Sequence, residues 1–258
     1  MKVGVVARNR HQKHIYDDAK AQIEKKQEEN KIPKEVEHDA YNGNLDTTIR
    51  RTLEIRPFPI VIGIPMDELM FSQFFSNIIC LSIMPWDSFV TTSDTLIENA
   101  RNTIHNRFLE KSNAPYLLML DSDVLPPPDT IERLLAHDLP AVGGWYRKKE
   151  KYRIKELDGT ERIVQRPVVY DYDGFNEKIQ KFEYRTRIKP GEGLEKIDGL
   201  GAGCWLIKRE VLEKVGKSPF SFKFGGEDLD FCRKMKAAGY DIYVDWDVAC
   251  AHSGVFFV

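Results

Sequence analysis

From residue 59 onward, short runs of mostly apolar or β-branched residues alternate with longer stretches in which apolar side chains recur every three or four positions. The runs lie at 60–64, 88–92, 116–120, 140–146, 205–207 and 242–244, several of them bounded by Pro, Asp or Ser. That pattern predicts strands, the fully apolar ones buried on both faces as in the middle of a parallel sheet. Helical spacing is found at 69–81 (Phe71, Phe74, Phe75, Ile78, Ile79), and at 95–111 with Leu96, Ala100, Ile104 and Phe108 along one face. It recurs over 129–135, 210–215 and 227–238. Strand and helix in alternation predict an α/β domain with a mixed, mostly parallel sheet flanked by helices. The aromatics of 69–81 read as core.

Two regions depart from this rhythm. Residues 1–56 offer one short strand at 2–7, a charged helix at 14–31 with a thin apolar face, and an Asn-Gly-Asn turn at 42–44. They are set apart as an N-terminal appendage, with the main domain taken as 57–258. Residues 147–196 read as a hairpin-rich insertion, with turns expected at Asp158-Gly159-Thr160 and at Asp173-Gly174. Over 147–189 there are 13 Lys and Arg against 8 Asp and Glu, within a chain of net charge −2. The window is either a pair of solvated hairpins or a basic flap in which Arg147, Lys148, Lys149, Arg153 and Arg162 face an anion.

The stretch with most chemical promise begins at Tyr116. A five-residue apolar strand ends in Asp121-Ser122-Asp123; three prolines stop it, and Asp129 with Glu132 makes a capping-box-like helix start. Two carboxylates one residue apart point to the same side of an extended chain and can close on one cation. Ordinary turn chemistry is the competing explanation for this triplet. Glu227, Asp228 and Asp230 open a helix after Gly225-Gly226, where acids suit the helix dipole and a structural account suffices. The small residues of 199–204 suit a backbone passing close beneath a ligand. Arg101 has two candidate partners, a phosphate or Glu98 one turn earlier.

Composition excludes little. With 42% hydrophobic and 30% charged residues among 258, the chain can bury a substantial core and gives no global reason to expect nucleic acid or membrane as partner. Cys80, Cys204, Cys232 and Cys250 are far apart with no C-x-x-C spacing, which predicts free thiols in a reducing compartment. The apolar run at the N-terminus is too short for a signal sequence, and no later run is long enough to span a bilayer, so a cytoplasmic location is expected.

Taken in order, these parts resemble the metal-dependent glycosyltransferases of the GT-A fold, in particular the broad inverting group that includes cellulose- and chitin-synthase-like enzymes and many small bacterial and viral members. The resemblance covers about residues 59–254. It is carried by Ile64-Pro65, Ala100-Arg101-Asn102, Leu120-Asp121-Ser122-Asp123, the run from Gly199 to Leu212, Gly226-Glu227-Asp228-Leu229-Asp230 and His252. It implies transfer of a hexose-type sugar from a nucleotide diphosphate donor, a uridine one, to a hydroxyl acceptor with Mn²⁺ or Mg²⁺. By the same resemblance Asp121-Ser122-Asp123 is the family's Asp-x-Asp motif: Asp123 binds the metal and Asp121 the ribose or the metal through water. His252 is a third metal ligand. Asp228, with Glu227 beside it, is the catalytic base, and Pro65, Asp67, Arg101, Ser122 and Gly201 line the nucleotide pocket. The loop Pro65-Met66-Asp67-Glu68 departs from the hydroxyl-rich form common in the family, and 147–196 has no counterpart, so the acceptor is not inherited; an anionic acceptor, nucleic acid included, stays open. The alternatives are a nucleotidyltransferase of related fold and an inactive nucleotide- or glycan-binding protein.

Overall fold

The computed structural model describes residues 56–66, 72–93, 96–155, 159–223 and 225–253. The strand and helix expected at 2–7 and 14–31, and Asp67, lie outside the described residues. The chain divides into two compact units, Met1–Phe58 with Met84–Trp86, and Pro59–Ile83 with Asp87–Val258. In the first, the Phe58 carbonyl accepts hydrogen bonds from Arg56 (3.0 Å) and the Trp86 indole (3.2 Å). Everything below concerns the second.

Its centre is a seven-stranded sheet. β1 (Ile60–Pro65) pairs in parallel with β2 (Ser88–Thr92) on one side and β3 (Tyr116–Leu120) on the other. Next to β3 lies β12 (Cys204–Lys208), which runs antiparallel to it and to β5 (Ala141–Trp145). β13 (Ile242–Ala249) follows in parallel with β5, and β10 (Leu194–Ile197) closes the edge antiparallel. The order is thus β10-β13-β5-β12-β3-β1-β2, with five of the seven strands running the same way. β1, β3 and β5 are buried along nearly their whole length, as expected from their apolar composition.

α2 (Ile97–Lys111) lays Ala100, Ile104 and Phe108 on the sheet. A Cβ at Gly63 would stand 2.3 Å from Ile104 Cγ2, so this glycine is required for the helix to approach β1. On the same core Trp205 packs on Phe231 at 5.6 Å and Phe231 on Phe220 at 4.4 Å. Each such fully buried side chain contributes roughly 1.5–3 kcal/mol by leaving water. α4 (Arg209–Val215) stops at Gly216, with φ of +87°. α5 (Glu227–Ala237) is N-capped by Gly226 and followed by Gly239 at +93°.

Several expectations are corrected. Among the described residues α1 covers Ser72–Ile78, and of the aromatics and aliphatics expected as its core Phe74 is buried while Phe75 and Ile79 are exposed. α3 (Thr130–Ala136) has no capping box: the Asp129 carboxylate accepts from Arg133 Nε at 2.8 Å, leaving the helix start to a Thr130 hydroxyl bonded to the Pro127 carbonyl. The insertion does hold two hairpins, β6 (Tyr152–Lys155) with β7 (Glu161–Val164) and β8 (Val169–Asn176) with β9 (Lys181–Thr186). Asp173-Gly174 is a bulge inside β8 and not a turn. The reversal comes at residues 177–180, where the Asn176 side chain accepts from Lys178 N and Gln180 takes φ of +53°. β11 (Gly199–Leu200) joins β8 on its other side. Among the described residues no helix is long and apolar enough to cross a membrane.

Candidate active site

The acidic strand ends as β3 leaves the sheet beside Gly203, whose carbonyl accepts from Asp121 N at 3.0 Å. The chain does not stay extended there. Val124 N bonds back to the Asp121 carbonyl at 3.0 Å, so Asp121, Ser122 and Asp123 form a tight turn. The two carboxylates, expected to share one cation, are sent to different partners.

Asp121 accepts two hydrogen bonds from Arg101 NH2, at 2.9 and 2.8 Å, while Arg101 NH1 donates to Glu227. Arg101 is 4% exposed and its Nε has no hydrogen-bond partner. Burial opposes its charge, but Asp121 and then Glu227 more than offset this and hold it firmly protonated. So Arg101 faces neither Glu98 nor an open phosphate site. Glu98 instead accepts from Phe222 N. Glu227, expected beside the base, is paired with Arg101.

Among the described residues, Asp228 is the acid of this cluster that forms no ion pair. It sits in the first turn of α5 and its Oδ1 accepts from Leu229 N at 2.8 Å. Burial, with Glu227 adding repulsion and Arg101 opposing it, raises its pKa to about 6. A carboxylate poised there is ionised at neutral pH yet basic enough to take a proton.

Asp123 goes the other way. A two-residue ladder, β14 (Ala251–His252) antiparallel to β4 (Val124–Leu125), sets His252 opposite Val124. Ser253 N and Oγ both donate to the Asp123 carbonyl, at 2.8 and 3.0 Å, and pin the ladder's end. This brings His252 Nε2 to 3.3 Å from Asp123 Oδ2. The ring's other nitrogen, Nδ1, is 2.7 Å from the Arg147 carbonyl, which can only accept, so Nδ1 carries hydrogen. In the neutral ring the Nε2 lone pair then faces a carboxylate, an arrangement that a proton or a cation between them relieves. Burial works against the imidazolium, but Asp123 and the Arg147 carbonyl raise its pKa above the ordinary value. Burial would likewise raise Asp123, and hydrogen bonds from His252 and Lys149 overturn that and bring it to about 2.

One oxygen and one nitrogen donor aimed at each other suit a divalent cation that takes its remaining ligands from phosphate and water. Among the described residues no group of three or more His, Cys, Asp or Glu is arranged as a protein-only cage. Asp121, expected among the ligands, is occupied by Arg101. Lys149 Nζ, 2.6 Å from Asp123 Oδ2, holds the cationic place; its side chain is half exposed, so the pair is worth under about 1 kcal/mol and yields readily.

Tyr146 joins the two halves and was not singled out by sequence reasoning. Its ring meets His252 edge to face at 5.0 Å, and its hydroxyl accepts from Gly203 N at 3.1 Å. Burial raises its phenol well above the usual range, with Asp121 adding, so it stays neutral. Tyr146 also explains the glycines beneath it. An added Cβ would lie 2.6 Å from its hydroxyl at Gly203 and 2.8 Å at Gly201. Gly201, expected against the nucleotide, thus has a packing reason to be glycine. Ser122 lies in the turn between the acids, and Pro65 is buried at the end of β1. Of the basic residues expected to face an anion, Arg147 lies over Trp145 and donates to the Gln165 carbonyl, Lys148 lies over Tyr170, and Lys149 is on Asp123.

The architecture is the mixed, mostly parallel sheet flanked by helices that a GT-A-like fold requires. Among solved structures the chain is similar to A197 from STIV, at 21% identity and a TM-score of 0.51 over 77% of this chain and 86% of that one. At this identity the likeness is one of fold. A further likeness, to GalNAc-T7 crystallised with UDP, GalNAc and Mn²⁺, has 10% identity and a TM-score of 0.47 over 76% of this chain and 43% of that one. No protein-family model and no curated protein matches the chain.

Proposed function

We propose that the protein is a glycosyltransferase that moves a sugar from a nucleotide diphosphate donor, a uridine one, to a hydroxyl acceptor with divalent-metal help. The observation that carries the reading is the meeting of Asp123 with His252, 129 residues apart in sequence, one turn of chain from the Arg101–Asp121–Glu227 cluster that holds Asp228. Sequence neighbours do not produce such a pairing; the β4–β14 ladder is built for it.

Asp123 and His252 would hold Mn²⁺ or Mg²⁺, whose chemistry when bound is to neutralise charge on the donor phosphates. Asp228 takes the proton from the acceptor hydroxyl as that oxygen bonds to the sugar's anomeric carbon. The bond from that carbon to the phosphate oxygen breaks and the nucleoside diphosphate leaves with the electron pair. Attack from the side opposite the leaving group makes the reaction inverting. Arg101 fixes Asp121 and Glu227, and burial with those two acids keeps Asp228 basic against the opposing charge of Arg101.

The test is a panel of uridine, guanosine, thymidine and cytidine diphosphate sugars incubated with the protein, with and without Mn²⁺, and read by phosphorus NMR. Metal-dependent release of UDP, lost in Asp123→Asn, is expected. Pyrophosphate as product would make the protein a nucleotidyltransferase instead, and no turnover with any donor would reject the transferase reading.

A further inference from the structure

The hairpin of β8 and β9 carries five aromatic rings on one face, Tyr170 at one end and four beyond it. Tyr172 lies opposite Tyr184, and Phe175 opposite Phe182. Residues three apart on a regular strand point to opposite faces. The bulge at Asp173 and Gly174 supplies the extra residue that brings Tyr172 and Phe175 to the same side. Gly174 takes φ of +133° to make it, a conformation that side chains resist. Ring centroids are 5.7 Å apart for Tyr172 and Tyr184, 6.3 Å for Tyr172 and Phe182, and 4.9 Å for Phe175 and Phe182. The four make a continuous strip whose outer members, Tyr172 and Phe175, are 47% and 41% exposed. The opposite face of the hairpin is the charged one, with Asp171, Lys181, Glu183 and Arg185.

The inner end of the strip packs on the helix that carries Asp228. At Gly199 an added Cβ would stand 3.5 Å from Tyr184, 3.3 Å from Tyr170 and 2.7 Å from Leu229, the residue after Asp228. One turn further along α5, Arg233 lies over the Phe182 ring at 5.1 Å. Tyr170, whose phenol is raised by burial and then by the charge of Asp228, links that acid to the strip, which continues along α5.

Charge decides what it fits. The paired residues that share the face of the rings, Tyr170 and Thr186, are uncharged, and Asp171, Lys181, Glu183 and Arg185 are turned to the other side. A single-stranded nucleic acid or an anionic glycan needs a basic groove along its stacked rings. The basic side chain lying on the rings, Arg233, is itself paired with Asp230 at 2.9 Å, and Lys148 and Lys149 are turned onto Tyr170 and Asp123. A neutral chain of sugars has apolar C–H faces for the rings and hydroxyls for the tyrosines. We infer that the strip is the acceptor subsite and that the acceptor is a neutral oligosaccharide, lying along Tyr184, Tyr172, Phe182 and Phe175 with one hydroxyl at Asp228. The fate of that hydroxyl rests on the transferase reading above; the binding does not.

The experiment is isothermal titration of the full chain with neutral hexasaccharides of glucose in β- and α-1,4 linkage, of N-acetylglucosamine, of mannose and of xylose, with a heparin hexasaccharide and oligo(dT) as anionic counterparts. UDP with Mn²⁺ is titrated in parallel, against wild type and Asp123→Asn. At least one neutral hexasaccharide binds, and Tyr172→Ala and Phe175→Ala each weaken it about tenfold, with melting temperature and UDP binding unchanged. Absence of neutral binding, binding that ignores both substitutions, or preference for heparin or oligo(dT) overturns the inference. Glycan binding without UDP binding rejects the transferase alone, and UDP binding without glycan binding rejects the strip alone.

Discussion

Replacing Arg101 by leucine tests whether the acidic cluster is held together as described. The guanidinium is 4% exposed, makes a two-pronged contact with Asp121 at 2.8–2.9 Å and a second with Glu227, and Asp228 lies within its field. Leucine removes the cation and leaves the largely buried Asp121 and Glu227 carboxylates without their partner. Breaking a buried pair in this way costs about 3–5 kcal/mol, because the stranded charge keeps its desolvation cost. For a domain of this size that is a fall in melting temperature of about 10 °C. Urea unfolding at pH 7.5 and pH 5 measures it. The deficit should shrink at the lower pH, since protonating one acid removes the repulsion. A triple variant, Arg101→Leu with Asp121→Asn and Glu227→Gln, should recover most of the loss, because no charge is stranded. A single variant that loses less than about 1 kcal/mol at both pH values, with no recovery in the triple, would mean a solvated cluster and would refute the reasoning.

Three more outcomes follow from single residues. Asp228→Asn should lower kcat by about 10²–10⁴ with donor affinity kept, and wild-type kcat/KM should fall as pH drops through about 6, where the base becomes protonated; a flat profile from pH 5 to 8 would exclude Asp228 as base. His105 is fully buried against α2's neighbours, and burial holds its pKa down to about 4, with the Gly216 backbone opposing. The unfolded chain therefore binds the extra proton between about pH 6.5 and 4, so stability is full above 6.5 and falls by about 3 kcal/mol as pH drops across that window; His105→Phe should flatten that slope in urea titrations, and an unchanged slope would assign it elsewhere. Gly143→Ala should cost about 1–3 kcal/mol, since the new Cβ would stand 2.3 Å from Trp205 Cδ1 and 2.5 Å from the Cys204 carbonyl, and calorimetry showing no loss would contradict that packing.

What could be read in the residues, and what could not, divides along physical lines. The sheet strands were legible because burial on both faces writes an uninterrupted apolar run, as in Leu117 to Leu120, and glycines at 216 and 239 mark helix ends by the φ they permit. Pairings across the fold were not. Arg101 had a plausible partner one turn away in Glu98, and nothing local indicates that its real ones are 20 and 126 residues on. The Asp121–Asp123 turn hides for a related reason: alternation predicts a shared face only while the chain is extended, and one backbone hydrogen bond to Val124 cancels it. Tyr146 looked like the end of a strand. Its only trace in sequence is indirect, in the glycines at 201 and 203 that make room for it. The strip on the second hairpin escaped because a bulge changes the spacing at which side chains share a face, and Asp-Gly reads first as a turn.

β12 runs opposite to its neighbours β3 and β5, and this has a bearing on how such a protein can diversify. The polypeptide departs after Trp145, returns to the margin of the sheet as β10 and comes home at Cys204, and both Trp145 and Cys204 stand over the same rim as Asp121. Whatever is spliced between Trp145 and β10 lies outside the sheet, whose strands keep their register. Exchange of that excursion for another would present a new guest to an old centre, provided the newcomer brings its own tyrosine to rest on Gly203.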